Sequence, residues 1–336
     1  MKKTFTFKSC DGVTDIYCVK WEIEKPRAIL QVSHGMSEFI DRYDAFAEFF
    51  NERGFVVVGN DDIGHGKSLS EKKAPMYFGE EGSWKLAVED LHTLYKMTKK
   101  EYPDVPYFVL GLSLGAYLMR TLLIEHNELS DGLVLLGTSR VVPLEFKMGL
   151  YMAEKERKKY GDDVATKQIH DLTFGTYNKR FKPSRTEMDW LCGNEEALDE
   201  FIADERRGKD LTVGLFRELL SVMLYAREMK NIEKMNKDLP VLFLSGEEDA
   251  VGKFTKGVIS AYNDFKKCGI KDVEYKIYPG DRHDILNEKN KEEVFMDIAN
   301  WLDKKMNVEK WCRLILPFLI IIYLGFIIYF ILKVMW

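Results

Sequence analysis

Residues 109–119 read VLGLSLGAYLM. An apolar run, YFVLG at 107–111, enters a G-x-S-x-G pattern. It leaves through AYLMRTLLIEH at 116–126, where apolar residues recur at helical spacing. Strand, glycine-flanked turn and helix in that order read as a nucleophile elbow, a tight turn that lifts the hydroxyl of Ser113 above a sheet edge. With 24 glycines and 13 serines in 336 residues, composition alone supplies roughly 0.07 such matches. The pattern therefore needs support from elsewhere in the chain: a base, an acid and an oxyanion hole.

Outward from the elbow, short apolar runs alternate with amphipathic stretches. AILQVSHG (28–35), FVVVGND (55–61), GLVLLGTS (132–139), VLFLSG (241–246) and VEYKIYPG (273–280) read as strands. Residues 43–54, 83–100 and 290–306 read as helices. This rhythm is the signature of βαβ units and predicts an α/β fold with a mostly parallel sheet and helices on both faces. Between about 141 and 235 the rhythm stops, and the stretch is rich in charge and helix formers. The expected organisation is a core from 1–140 and 236–306, interrupted by a helical cap or lid at 141–235. Within that insertion LTVGLFRELLSVMLYAREM (211–229) is nearly apolar in its middle. It reads either as a lid helix opening toward lipid or as ordinary core.

A serine hydroxyl is a weak nucleophile at neutral pH. It needs a histidine to take its proton and a carboxylate to orient that histidine. In elbow enzymes the chain order is Ser, then Asp or Glu, then His. Asp249 follows the strand VLFLSG, with Glu247 and Glu248 as neighbouring alternatives, and His283 follows VEYKIYPG. Reactive groups gather at the carboxyl ends of parallel strands. Of the six histidines, His34 and His65 precede the serine, His92 and His126 lie on expected helices, and His170 is in the insertion. His283 alone lies after Ser113 at a strand end. Oxyanion donors are expected from the backbone N–H groups of Leu114 and Met36, the latter in SHGMSE (33–38).

SHGMSEFIDRY (33–43), DDIGHGKS (61–68), GLSLGA, SGEEDAVGKFTKGV (245–258) and YPGDRHDILNE (278–288) together resemble the monoacylglycerol lipase/lysophospholipase group of serine α/β-hydrolases, also grouped as serine aminopeptidase S33-like. The resemblance runs from about residue 9 to 306 and is weakest in the insertion. It implies an α/β-hydrolase fold, catalytic roles for Ser113, Asp249 and His283, and backbone donors at Met36 and Leu114. It also implies a lipid or other acyl-ester substrate. Two departures bear on pocket shape. The elbow reads G-L-S-L-G-A where the group often has G-H-S-M-G-G, and Asp284 stands where it often has Glu. A thioesterase, a short-chain carboxylesterase or a peptidase would use the same triad. A non-catalytic membrane-tethered scaffold is the reading from a different class.

Bulk properties narrow the field. The formal net charge is −5, and no basic block or zinc-finger spacing suggests nucleic acid. Five scattered cysteines without C-x-x-C fit neither a disulfide framework nor a zinc site. No metal or organic cofactor is implied by the expected chemistry. Near the C-terminus, residues 314–332 (LILPFLIIIYLGFIIYFIL) carry no charge. As a helix these would span roughly 29 Å, the thickness of a hydrocarbon core. Lys304, Lys305, Lys310 and Arg313 precede the run and Lys333 follows it. The expectation is a transmembrane anchor with the catalytic domain on the cytoplasmic side.

Overall fold

The computed structural model describes residues 1–140 and 142–306, and the expected anchor at 314–332 lies outside the described residues. Among the described residues no helix is long and apolar enough to cross a membrane. Residues Met1–Phe295 form one compact unit, and the site described below lies entirely within it.

Eight strands form one sheet: β1 (Lys2–Lys8), β2 (Asp15–Trp21), β3 (Ala28–Ser33), β4 (Phe55–Asn60), β5 (Tyr107–Leu112), β6 (Gly132–Leu136), β7 (Val241–Gly246) and β8 (Val273–Tyr278). Their spatial order is β1-β2-β4-β3-β5-β6-β7-β8. From β4 to β8 every pairing is parallel, whereas β1–β2 and β2–β4 are antiparallel. Every residue of β3, β4, β5, β6 and β7 is buried. Strands covered on both faces become continuous apolar runs, which is why these were legible in the sequence.

Helices α1 (Asp44–Asn51), α2 (Trp84–Glu101) and α3 (Leu114–Glu125) follow β3, β4 and β5 in the chain. Between β6 and β7 the chain leaves the sheet for α4 (Pro143–Tyr160), α5 (Lys167–Phe174), α6 (Glu195–Ala203), α7 (Val213–Arg227) and α8 (Met229–Ile232). Helix α9 (Lys256–Lys267) then joins β7 to β8, and a further helix covers 291–306.

The insertion has two separate apolar interiors. Helix α7 belongs to the main core, with Leu215, Phe216, Leu220, Val222 and Ala226 buried beside α3 residues such as Leu118 and Leu122. Its fully buried Glu218 accepts the backbone N–H of Trp84 at 3.0 Å and Nε of Arg217 at 3.0 Å. The apolar middle of 211–229 is therefore core, which corrects the reading of it as a lid helix: its apolar residues face the rest of the core. A second cluster, Trp190, Leu191, Cys192, Leu198 and Phe201, has Phe181 at its margin, and Phe174 packs against both clusters.

Candidate active site

Strand β5 ends at Leu112 and α3 begins at Leu114, so one residue makes the whole turn. Ser113 is that residue, at φ 53° and ψ −114°, a left-handed conformation that disfavours side chains other than glycine. The flanking glycines are steric requirements. A methyl group at Gly111 would overlap the carbonyl of Gly115, and one at Gly115 would overlap the carbonyl oxygen of Ser33. Neither obstacle is a flexible side chain. Gly115→Ala is accordingly expected to destabilise the fold by about 3 kcal/mol, the upper range for overpacking a closed interior. A lowered midpoint in urea denaturation would register it.

Asp249 and His283 arrive from the ends of β7 and β8. His283 Nδ1 lies 2.9 Å from Asp249 Oδ1, and both side chains are buried. Asp249 Oδ1 also accepts the N–H of Val251 at 2.8 Å, which fixes the carboxylate before it meets the ring. Glu247 Oε2 accepts the N–H of Gly280, and Glu248 pairs with Arg180 at 3.2 Å. Of the three acidic neighbours it is Asp249 that meets the imidazole. Gly137, at φ 57°, leaves room for the histidine ring, since a Cβ there would lie 2.7 Å from His283 Cε1. Burial works to lower the His283 pKa. The Asp249 charge and hydrogen bond, with the charge of Asp284, outweigh burial and raise it above the ordinary histidine value.

Ser113 and His283 line one cavity with Gly35 and Met36. Among the described residues the Ser113 hydroxyl has no hydrogen-bond partner, and neither do the backbone N–H groups of Met36 and Leu114. An uncommitted hydroxyl and uncommitted amides beside an imidazole–carboxylate pair are the parts an acyl-transfer site needs, since such bonds close fully only around substrate. His34 has a different task. Its Nε2 accepts the N–H of Asp62 at 3.0 Å and its Nδ1 contacts the carbonyl of Gly35 at 2.7 Å, tying the Met36 loop to the end of β4. Burial, with His65 nearby, holds its pKa down to about 3, so this ring is neutral.

Two features of the site were not read from the sequence. The first is an ion network at the cavity wall. Glu38 accepts the N–H of Gly35 at 2.8 Å and pairs with Arg42, whose Nη2 reaches Asp284 Oδ2 at 3.0 Å. The Met36 loop is thereby braced against the His283 loop. The i,i+4 spacing of Glu38 and Arg42 was the available signal. The second is the apolar wall formed by Phe174, Met188, Trp190, Leu191 and Phe201, all from the insertion. Trp190 stands against the His283 ring with centroids 5.6 Å apart. Among the described residues the group of three side chains with metal-ligand spacing is Glu89, His92 and His126, none of which lines this cavity.

Comparison with known proteins agrees with this arrangement. A family model described as serine aminopeptidase, S33, matches residues 24–290. A monoglyceride lipase homolog of monkeypox virus is 27% identical over 290 residues, covering 85% of this chain and 94% of that protein. The mouse (Mus musculus) monoglyceride lipase is 25% identical over 302 residues, covering 87% and 88%. Among solved structures, a thermostable carboxyl esterase from Bacillus coagulans in complex with glycerol superposes with a TM-score of 0.84 at 28% identity, covering 90% of this chain and 98% of that one. With the elbow, the His283–Asp249 pair and a model match over most of its length, the chain belongs to the serine aminopeptidase S33 family of α/β-hydrolases.

Proposed function

We propose that this protein is a serine ester hydrolase cleaving carboxylic esters of amphiphilic lipids, a monoacylglycerol or a lysophospholipid, through an acyl-enzyme on Ser113. The observation that carries the reading is the shared cavity, in which Ser113 and His283 sit beside an aromatic wall suited to an acyl chain. The lipase names borne by relatives of similar length support it.

In the proposed mechanism His283 takes the Ser113 proton as the hydroxyl attacks the acyl carbonyl. The amides of Met36 and Leu114 receive the oxyanion, and Asp249 holds the imidazole in the productive tautomer. The leaving alcohol departs with the proton from His283. Water, activated by the same ring, then releases the fatty acid. We assign the insertion, 141–235, as a cap rooted in the core through α7, with its Phe174–Phe201 wall lying against the cavity and binding the acyl chain.

A lipid surface is the proposed working environment. Helix α4 exposes Leu144, Met148 and Tyr151 at 61–69% of their full accessibility, at spacings of four and three. Lys147, Lys155 and Lys158 are exposed on the same helix. Exposed apolar side chains with lysines beside them support contact with a lipid surface, with Glu145 and Glu154 on the same helix. We further assign 314–332 as a single-pass membrane anchor, with the catalytic domain on the cytoplasmic side, on its charge-free length and the lysines and arginine before it.

The test is fatty-acid release by the wild type and Ser113→Ala from a panel in detergent micelles. It comprises a monoacylglycerol, a lysophospholipid, an acyl thioester and a short water-soluble ester. Ser113-dependent release from either lipid is expected, and release confined to the thioester or the short ester would replace this reading. A chain ending at residue 306 is expected to keep turnover of the soluble ester while losing most of its action on vesicle-borne lipid.

A further inference from the structure

On the side of the molecule away from the cavity, Glu89 and His92 occupy α2 three residues apart, which puts them on one face. His126 caps the C-terminal end of α3 beside them. His126 Nε2 lies 3.1 Å from Glu89 Oε1, and His92 Nδ1 lies 3.4 Å from Glu89 Oε2. The two imidazole rings overlap with centroids 3.7 Å apart. All three ligand atoms fall within 4.8 Å of one another.

We propose that Glu89, His92 and His126 form a surface site for a zinc-class divalent transition-metal ion that ties the far end of α3 to α2. A contact of 3.4 Å is long for a charge-assisted N–H···O bond, which settles near 2.7–2.9 Å, so His92 is only loosely held by Glu89. The ligand atoms lie within 4.8 Å of one another, and an ion bonded at about 2.0–2.1 Å would draw them in to about 3.3 Å while turning the two rings apart. Two imidazoles and one carboxylate select zinc-class ions over calcium or magnesium, which prefer all-oxygen sites. The side chains are partly exposed, so an ion has an entry path and water can complete a fourth position.

Helix α3 starts at the elbow, and thirteen residues at 1.5 Å each place His126 roughly 20 Å along the helix from Ser113. The ion would thus act on the fold and not on the ester chemistry.

The test uses the full chain, stripped with chelator and titrated with Zn²⁺ or Co²⁺ alone, read by thermal unfolding and by the visible spectrum of the Co²⁺ form. One equivalent is expected to bind, with Tm rising by about 5 °C at a hundredfold excess over Kd. The bound Co²⁺ should give the intense visible bands of a four-coordinate site. Glu89→Gln and His126→Asn should each abolish the rise and the bands while keeping the metal-free Tm and ester turnover of the wild type. No rise in the wild type would overturn the site, and so would a rise that survives in both variants.

Discussion

Ser113→Ala is expected to reduce kcat for ester hydrolysis by about 10⁵-fold, leaving KM and Tm close to the wild-type values. The asymmetry follows from the elbow. The hydroxyl has no hydrogen-bond partner among the described residues, so removing it leaves no buried group unsatisfied. The proposed oxyanion donors are backbone amides, which alanine retains, so the residual rate should exceed that of water alone. Ser113→Gly deletes the same oxygen but also removes the Cβ from a backbone held at φ 53°. It should be equally inactive yet more stable than alanine by about 1 kcal/mol. Steady-state fatty-acid release and chemical denaturation of both variants would check the pair. An alanine variant retaining a tenth of wild-type turnover would remove Ser113 from the mechanism.

Asp249→Asn should cost about 10⁴-fold in kcat. An amide can offer its NH₂ where the carboxylate accepted, which favours the tautomer with the proton on the wrong imidazole nitrogen. The pH profile supplies a second readout. His283 must be neutral to accept the serine proton, so activity falls as pH drops through its pKa. In the wild type Asp249 and Asp284 raise that pKa against the effect of burial. The acid limb of kcat/KM should therefore lie above the ordinary histidine value of about 6.5. Without the Asp249 charge burial dominates, and the limb of the residual activity should move to lower pH. A limb that stays in place would mean that another group sets it.

The parallel part of the sheet was legible because a strand covered on both faces leaves an apolar run, as in Phe55–Asn60 and Val241–Gly246. That Ser113, Asp249 and His283 come together was legible through their order and their places at strand ends. The antiparallel strands β1 and β2 were passed over. In β1 Phe5 and Phe7 alternate with threonine and lysine and remain partly exposed, so the strand has no apolar run. The residues of 211–229 were legible as apolar, but not their destination. A helix buried among α3 and α4 and one facing lipid share the same composition. The aromatic wall was illegible for a related reason: Phe174 at the end of α5, Trp190 in a turn and Phe201 on α6 come from separate elements, so no single periodicity joins them. The sequence neighbours Glu247, Glu248 and Asp249 could be separated only by their partners, Gly280, Arg180 and His283.

The two interiors of the insertion divide labour between chemistry and choice of substrate. On the proposed reading, the side chains that would meet the acyl chain belong to the cluster of Trp190, Leu191 and Phe201, whereas the sheet and elbow rest on the core that includes α7. Changes in the first can reshape which chain lengths fit without loosening the second. A lineage can thus explore new lipids one aromatic residue at a time while the machinery that breaks the ester stays as it is.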